Sequence, residues 1–243
     1  MKKIAGLVMV FLFTYTISAQ TNDGVAYVKH FYKEWKEKVD QHNENTIYLN
    51  YQTEIITKDD DDKLISNKTT IEVISDKEHA TFLTKELSVF QDKKHTVSIL
   101  PDKQLIIINE YAGDNYKKEK LASFEIFQDS IFNSLITQKF EEVVISGKTY
   151  KKAILKANAY AVKTYKMASM EFLLDEYLGV VKEVKVNYVN HPQFKSVKIN
   201  ILKQDLTYKN VVLKRKALAN VFDSKGELLE KYKSYKLIDN RLK

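Results

Sequence analysis

No cysteine occurs anywhere in the 243 residues. That excludes disulfides, thiolate metal sites, a cysteine nucleophile and lipidation of an N-terminal cysteine. Two prolines and six glycines leave little material for phosphate-cradling loops. Arginine is nearly missing too. Arg215 and Arg241 stand against 37 lysines, too few for base readout of nucleic acid. Catalytic patterns are also lacking: no G-x-S-x-G elbow, Walker loop or dinucleotide fingerprint occurs. His30, His42, His79, His95 and His191 form neither an H-E-x-x-H motif nor an i, i+4 helix pair, so surface or capping roles are expected. The sequence therefore reads as a non-enzyme without metal or cofactor. An enzyme with a dispersed site is the weakest reading.

What is present is a folded, basic chain. Apolar residues make up 44% and aromatics 12%, which excludes disorder, and the formal charge is +7. Met1-Lys2-Lys3 is a charged start. A 14-residue apolar stretch, Ile4 to Ile17, follows it, and Ser18-Ala19 closes it with small residues. This form predicts a secretory signal peptide over 1–19, cleaved after Ala19, because the stretch is shorter than the roughly 20 residues of a bilayer span. Removing it leaves 224 residues and a charge of +5. The product is expected in the periplasm of a Gram-negative cell, freely diffusing and not lipidated.

Periodicity predicts the elements. Asn22 and Asp23 can cap a helix running to about Gln41, with Val25, Val28, Tyr32, Trp35 and Val39 as its apolar stripe. From Thr46 the period becomes two, with Tyr51 on the face of Ile47, Leu49, Thr53 and Ile55. A polar tip, Lys58 to Lys63, separates this strand from its hairpin partner, 69–74. Its run Asp59 to Asp62 lacks the glycine and final glutamate of a calcium loop and reads as a solvated turn. Strands are expected at 80–84, 87–90, 95–100 and 104–109. A helix follows between Lys117 and Thr137, carrying Leu121, Phe124, Phe127, Ile131 and Leu135. Extended segments follow at 140–146, 150–156, 164–174, 180–189, 194–202 and 206–213. Met170, Phe172 and Leu174 share a face, and Gly147 and Gly179 mark turns. Hairpin-length connections imply an antiparallel sheet. The expected fold is α+β: one domain over 20–213, a strongly curved antiparallel half-barrel covered by an N-terminal and a central helix. A basic extension, 214–243, packs on the same domain.

Two segments carry a family resemblance. Ser98-Ile99-Leu100-Pro101-Asp102-Lys103-Gln104-Leu105-Ile106-Ile107-Ile108-Asn109 is a strand, Asp-containing turn and strand before the central helix. Met170-Glu171-Phe172-Leu173-Leu174-Asp175-Glu176-Tyr177-Leu178-Gly179-Val180-Val181-Lys182-Glu183-Val184 is a hairpin with an acidic, Gly-containing turn. Over about 23–208 the order resembles the periplasmic lipoprotein carriers of the LolA/LolB type. The resemblance implies a curved sheet around an apolar cavity, with helices as its cover. Those carriers latch their lid with an arginine near the first strands. The first arginine here is Arg215, so no latch carries over.

The implied function is that of an exported carrier or sensor holding an acyl chain, a lipid or a lipidated protein. Burying about 14 methylenes at ~0.8 kcal/mol each gives roughly 11 kcal/mol before ordering costs. Tyr32, Trp35, Tyr51, Phe124, Phe127, Ile131, Met170 and Phe172 are the expected lining and lid. Ordinary core packing is the competing account of each. Lys214, Arg215, Lys216, Lys231 and Lys233 are expected to dock on anionic lipid or on an envelope partner. The alternative function is an envelope scaffold whose concave face is filled and holds no ligand.

Overall fold

A computed structural model describes residues 24–39, 41, 45–59, 61, 63–111, 129–209 and 216–242. The expected signal peptide, Asn22 and Asp23 lie outside these residues. So do Phe124, Phe127, Lys214 and Arg215. Strands β1 (Ile47–Lys58), β2 (Leu64–Ser75), β3 (Ala80–Leu83), β4 (Ser88–Gln91), β5 (His95–Leu100) and β6 (Leu105–Glu110) come first. Then come β7 (Leu135–Ile145), β8 (Lys148–Ala157), β9 (Met167–Asp175), β10 (Val180–Tyr188), β11 (Phe194–Asp205) and β12 (Lys236–Asp239). They form one open sheet in the order β12-β6-β5-β4-β3-β2-β1-β11-β10-β9-β8-β7. The expected α+β class with an antiparallel sheet is what the chain has. Strand β12 instead runs parallel to β6, from Lys236↔Leu105 to Asp239↔Ile108.

The helices are α1 (24–39), α2 (129–133) and α3 (Ala159–Tyr165). By contact density the chain divides into two compact units, with changes of unit after residues 37, 53, 67, 125 and 200. The first unit contains α1, α2, α3 and β7–β10. The second contains β3–β6 and the C-terminal segment from 201. Strands β1, β2 and β11 contribute residues to both.

In the first unit, Val28, Phe31, Phe132, Leu135, Leu155, Phe172 and Leu174 form a buried cluster with small Ala153, Ala157 and Ala161 between them. Helix α1 enters this core through Val28 and Phe31, three residues apart and so on one face. Its approach is close at Gly24, where an added Cβ would lie 2.7 Å from Thr137 Cγ2. The Val25 N–H donates to Thr137 Oγ1 at 3.0 Å. The expected stripe is therefore rotated. Phe31 is buried, while Tyr32, Trp35 and Val39 are half-buried.

Several boundaries differ from the periodicity. The described part of the central helix ends at residue 133, and Leu135 and Thr137 belong to β7. Their alternation with exposed Ile136 is a strand's period of two, which a four-residue spacing from Ile131 masks. The expected strand at 164–174 begins only at Met167, because Asn158 caps α3 by accepting from the Ala161 N–H at 3.0 Å. Strand β11 runs on to Asp205, so residues 206–209 are a turn and coil rather than part of a further strand. The β7–β8 turn, Ser146-Gly147, has positive φ at both residues (51° and 77°), the geometry that matches strand twist in a two-residue hairpin.

In the second unit, Val97, Ile99, Ile106 and Ile108 are fully buried, and Ala217 and Val221 cover them. The cover is a short 3-10 helix, Ala217–Asn220. Asp92 fixes it in place. One carboxylate oxygen accepts from the Lys94 and His95 N–H groups at 2.8 Å, and the other accepts from the Ala217 N–H at 2.7 Å. Burial pushes this carboxyl up. The three backbone donors outweigh it and hold Asp92 below its ordinary value. Beyond a second short 3-10 turn, Glu230–Tyr232, the Lys236 N–H donates to Gln104 O at 2.8 Å and β12 begins.

Candidate functional site

Three of the expected cavity residues come together in the first unit. Phe172 is buried, and its ring lies 6.1 Å from that of Phe132 at an interplanar angle of 26°. Ile131 and Met170 pack against the same cluster. Tyr32 and Trp35 form their own pair on α1, with ring centroids 5.6 Å apart. Tyr51 belongs to the second unit, where burial raises its phenol above the ordinary value.

A polar link ties helix α1 to the β9–β10 turn beside the first unit's apolar core. The Tyr27 phenol donates to Glu176 Oε1 in the β9–β10 turn, and burial followed by this hydrogen bond raises its pKa. Tyr27 also lies on Phe140, with centroids 4.8 Å apart.

The C-terminal segment holds a site that periodicity did not indicate. An open groove of about 610 Å³ is lined by Lys216, Leu218, Ala219, Phe222, Asp223, Ser224, Gly226 and Arg241. That volume lies within the range of small-molecule sites, roughly 300–1,000 Å³. Leu218 and Phe222 give it an apolar floor, and both pack on the buried Val97–Ile108 cluster. Lys216 and Arg241 place cationic groups at its margin. Arg241 is oriented by Asp239, with Nε 2.9 Å and Nη2 2.5 Å from the two carboxylate oxygens. Asp223, also in the lining, accepts from the Lys225 and Glu227 N–H groups through Oδ1 at 2.8 and 2.9 Å. The signal that could have found this groove is the pair Leu218 and Phe222, four residues apart beside Lys216.

Of the expected docking lysines, Lys216 is exposed and precedes the 217–220 turn. Lys231 lies with Nζ 4.7 Å from the Tyr232 ring centroid. Lys233 pairs with Glu230 at 2.6 Å. The four described histidines sit at turns and on helix α1. His191 Nδ1 meets the Gln193 and Phe194 N–H groups, and His79 and His95 lie beside Asp76 and Asp92. His30 pairs along α1 with Glu34 at 3.3 Å. The acidic tip is a local turn in which Asp59 Oδ1 accepts from the Asp61 and Lys63 N–H groups. Among the described residues, no helix is long and apolar enough to cross a membrane.

No protein-family model and no curated protein matches the chain. Several solved structures do. An uncharacterized conserved protein of Thermus thermophilus aligns over 86% of this chain and 98% of its own, at 10% identity and a TM-score of 0.43. The Pseudomonas aeruginosa MucA/MucB complex aligns over 85% of this chain, at 10% identity and a TM-score of 0.39. The alignment spans 63% of that chain, under two thirds of it. A LolA superfamily protein of Nitrosomonas europaea aligns over 74% of this chain and 97% of its own, at 7% identity and a TM-score of 0.29.

Proposed function

We propose that this chain is an exported, non-catalytic carrier or sensor of the cell envelope that binds an amphiphile with an acyl chain and an anionic head. The observation that carries this reading is the groove at Leu218, Ala219 and Phe222 with Lys216 and Arg241 at its margin. An acyl chain lying on the two large side chains gains about 0.8 kcal/mol per buried methylene. A carboxylate or phosphate head at the margin meets two cations, and Arg241 is already held in place by Asp239. Export rests on the tripartite N-terminus, and the periplasm is the compartment it implies. The central helix that the sequence predicts, with Phe124, Phe127 and Ile131, offers a second place for the same ligand.

The test is native mass spectrometry of protein purified from periplasm. A co-purified lipid that is lost on Ala219→Trp, which fills the groove, supports the reading. Lipid retained by Ala219→Trp and lost on Phe127→Asp moves the ligand to the central helix. A clean apo mass under gentle conditions overturns the carrier. The alternative, a scaffold without ligand, is supported by the burial of Phe132, Leu155, Phe172 and Leu174 in one cluster of the first unit.

A further inference from the structure

The two ends of the sheet order are unlike. Strand β12 is four residues long, begins with Lys236 and runs straight into the Asn240–Leu242 turn. Short, charged and ended by a turn, it is a protected edge. Strand β7 is eleven residues long, contains no proline, and among the described residues has β8 as its one sheet neighbour. Among the described residues, the backbone groups on its other side have no strand to pair with. It also exposes large apolar side chains, with Ile136 at 56%, Val144 at 70% and Ile145 at 46%. A long apolar edge of this kind is a template for strand addition.

The charges on β7 select the partner. Pairing with β8 places Lys139, Glu141, Val143 and Ile136 on the face away from the core, and Phe140, Thr137 and Leu135 on the core face. An antiparallel copy of β7 centred on Phe140 sets Lys139 opposite Glu141 of the other chain, twice by symmetry. Centring on Lys139 would oppose two lysines, and centring on Glu141 or Glu142 two glutamates. A bulge between Thr137 and Lys139 takes up one residue, Gln138. Beyond it, Ile136 meets Val143 and Leu135 meets Val144, so the exposed Ile136 and Val144 both gain apolar neighbours. The face relations hold throughout, because directly opposed residues in an antiparallel pair share a face.

We infer that β7 is a homodimerisation edge: two copies of this chain pair antiparallel through Leu135–Ile145 about a two-fold axis at Phe140, an isologous interface. Each Lys139 exchanges its own-chain contact with Glu141, 2.8 Å away, for the same contact across the axis.

Sedimentation of the mature chain over a hundredfold range of concentration tests this. The expected result is a monomer–dimer equilibrium that Lys139→Glu or Glu141→Lys alone weakens about tenfold and that the double exchange restores. Both sites are exposed or half-buried, and circular dichroism checks that each variant folds. The absence of native cysteine allows a direct test of register. Mixing a Lys139→Cys chain with a Glu141→Cys chain should give a disulfide-linked dimer, because directly opposed residues lie within disulfide reach. A monomer at every concentration overturns the inference. So does a dimer that neither charge reversal alters, or one whose mixed cysteine chains fail to cross-link.

Discussion

The two units cover an apolar sheet face by different means. In the first, helices do it: α1 and α2 bring Val28, Phe31 and Phe132 onto Ala153, Leu155, Phe172 and Leu174. Large aromatic rings meet small alanines there. In the second, no long helix takes part among the described residues. Ala217, which opens a four-residue 3-10 turn, and Val221, which follows it, close over Val97, Ile99, Ile106 and Ile108. A regular helix brings a repeating stripe and satisfies its own backbone. The turn contributes two small buried side chains and needs an outside acceptor, which Asp92 supplies to the Ala217 N–H. The second cover thus depends on a few polar anchors where the first depends on area.

That contrast can be broken from either side. The largest expected effect is at Phe172→Ala, about 3–5 kcal/mol of stability in chemical denaturation. Hydrogen exchange should then accelerate first in β8–β10 and α1, with β5 and β6 still protected. Ile106→Ala should cost about 2–5 kcal/mol with the reverse pattern. Equal loss of protection in both cores for either variant would show one cooperative core and sink the distinction.

A smaller change sharpens the anchor argument. Asp92→Ala removes the acceptor of three backbone N–H groups and should cost about 1–3 kcal/mol, read as faster exchange at Ala217 and Val221. The same anchor makes the C-terminal cover sensitive to acid. Its folded pKa is depressed, so its contribution is fully present above the unfolded aspartate value near 3.9 and fades as pH falls through the lower folded value. Protection at 217–221 should therefore fall below about pH 4 before protection at β8–β10 does. Cover and core losing protection together as pH falls would count against Asp92 as the anchor. Smallest is Asn158→Ala, which removes the α3 cap at about 0.5–2 kcal/mol and should leave the second unit's exchange unchanged.

Much of the first unit's framework was legible. The 3–4 spacing of Val25, Val28 and Tyr32 announces α1, although Phe31 rather than Tyr32 is the buried side chain, since an amphipathic pattern defines a face only to within a residue or so. In the second unit, strand β5 is legible at its full bounds from the alternation of Val97 and Ile99. Helix α3 was not read, because Ala-Tyr-Ala-Val alternates like a strand over its seven residues, and only the Asn158 cap gave it away. The candidate groove was less legible still. Lys216 stands out by its charge, while Leu218, in a short 3-10 helix, and Phe222, in an isolated bridge to Leu228, offer a single four-residue spacing and no sustained period. Lys231 and Lys233, expected from their charge to dock on lipid or a partner, lie beside Tyr232 and Glu230.

The sequence by itself determined the α+β class, most of the strands and the turns at Gly147 and Gly179. These depend on side-chain period and local backbone preference, which act over a few residues. Only the tertiary structure decided that residues 217–239 return to β4–β6, that β12 adds in parallel, and that Asp92 meets Ala217 across 125 positions of sequence. A parallel edge and a buried carboxylate clamp leave no periodic mark, because their energy comes from partners that are distant in the chain until it folds.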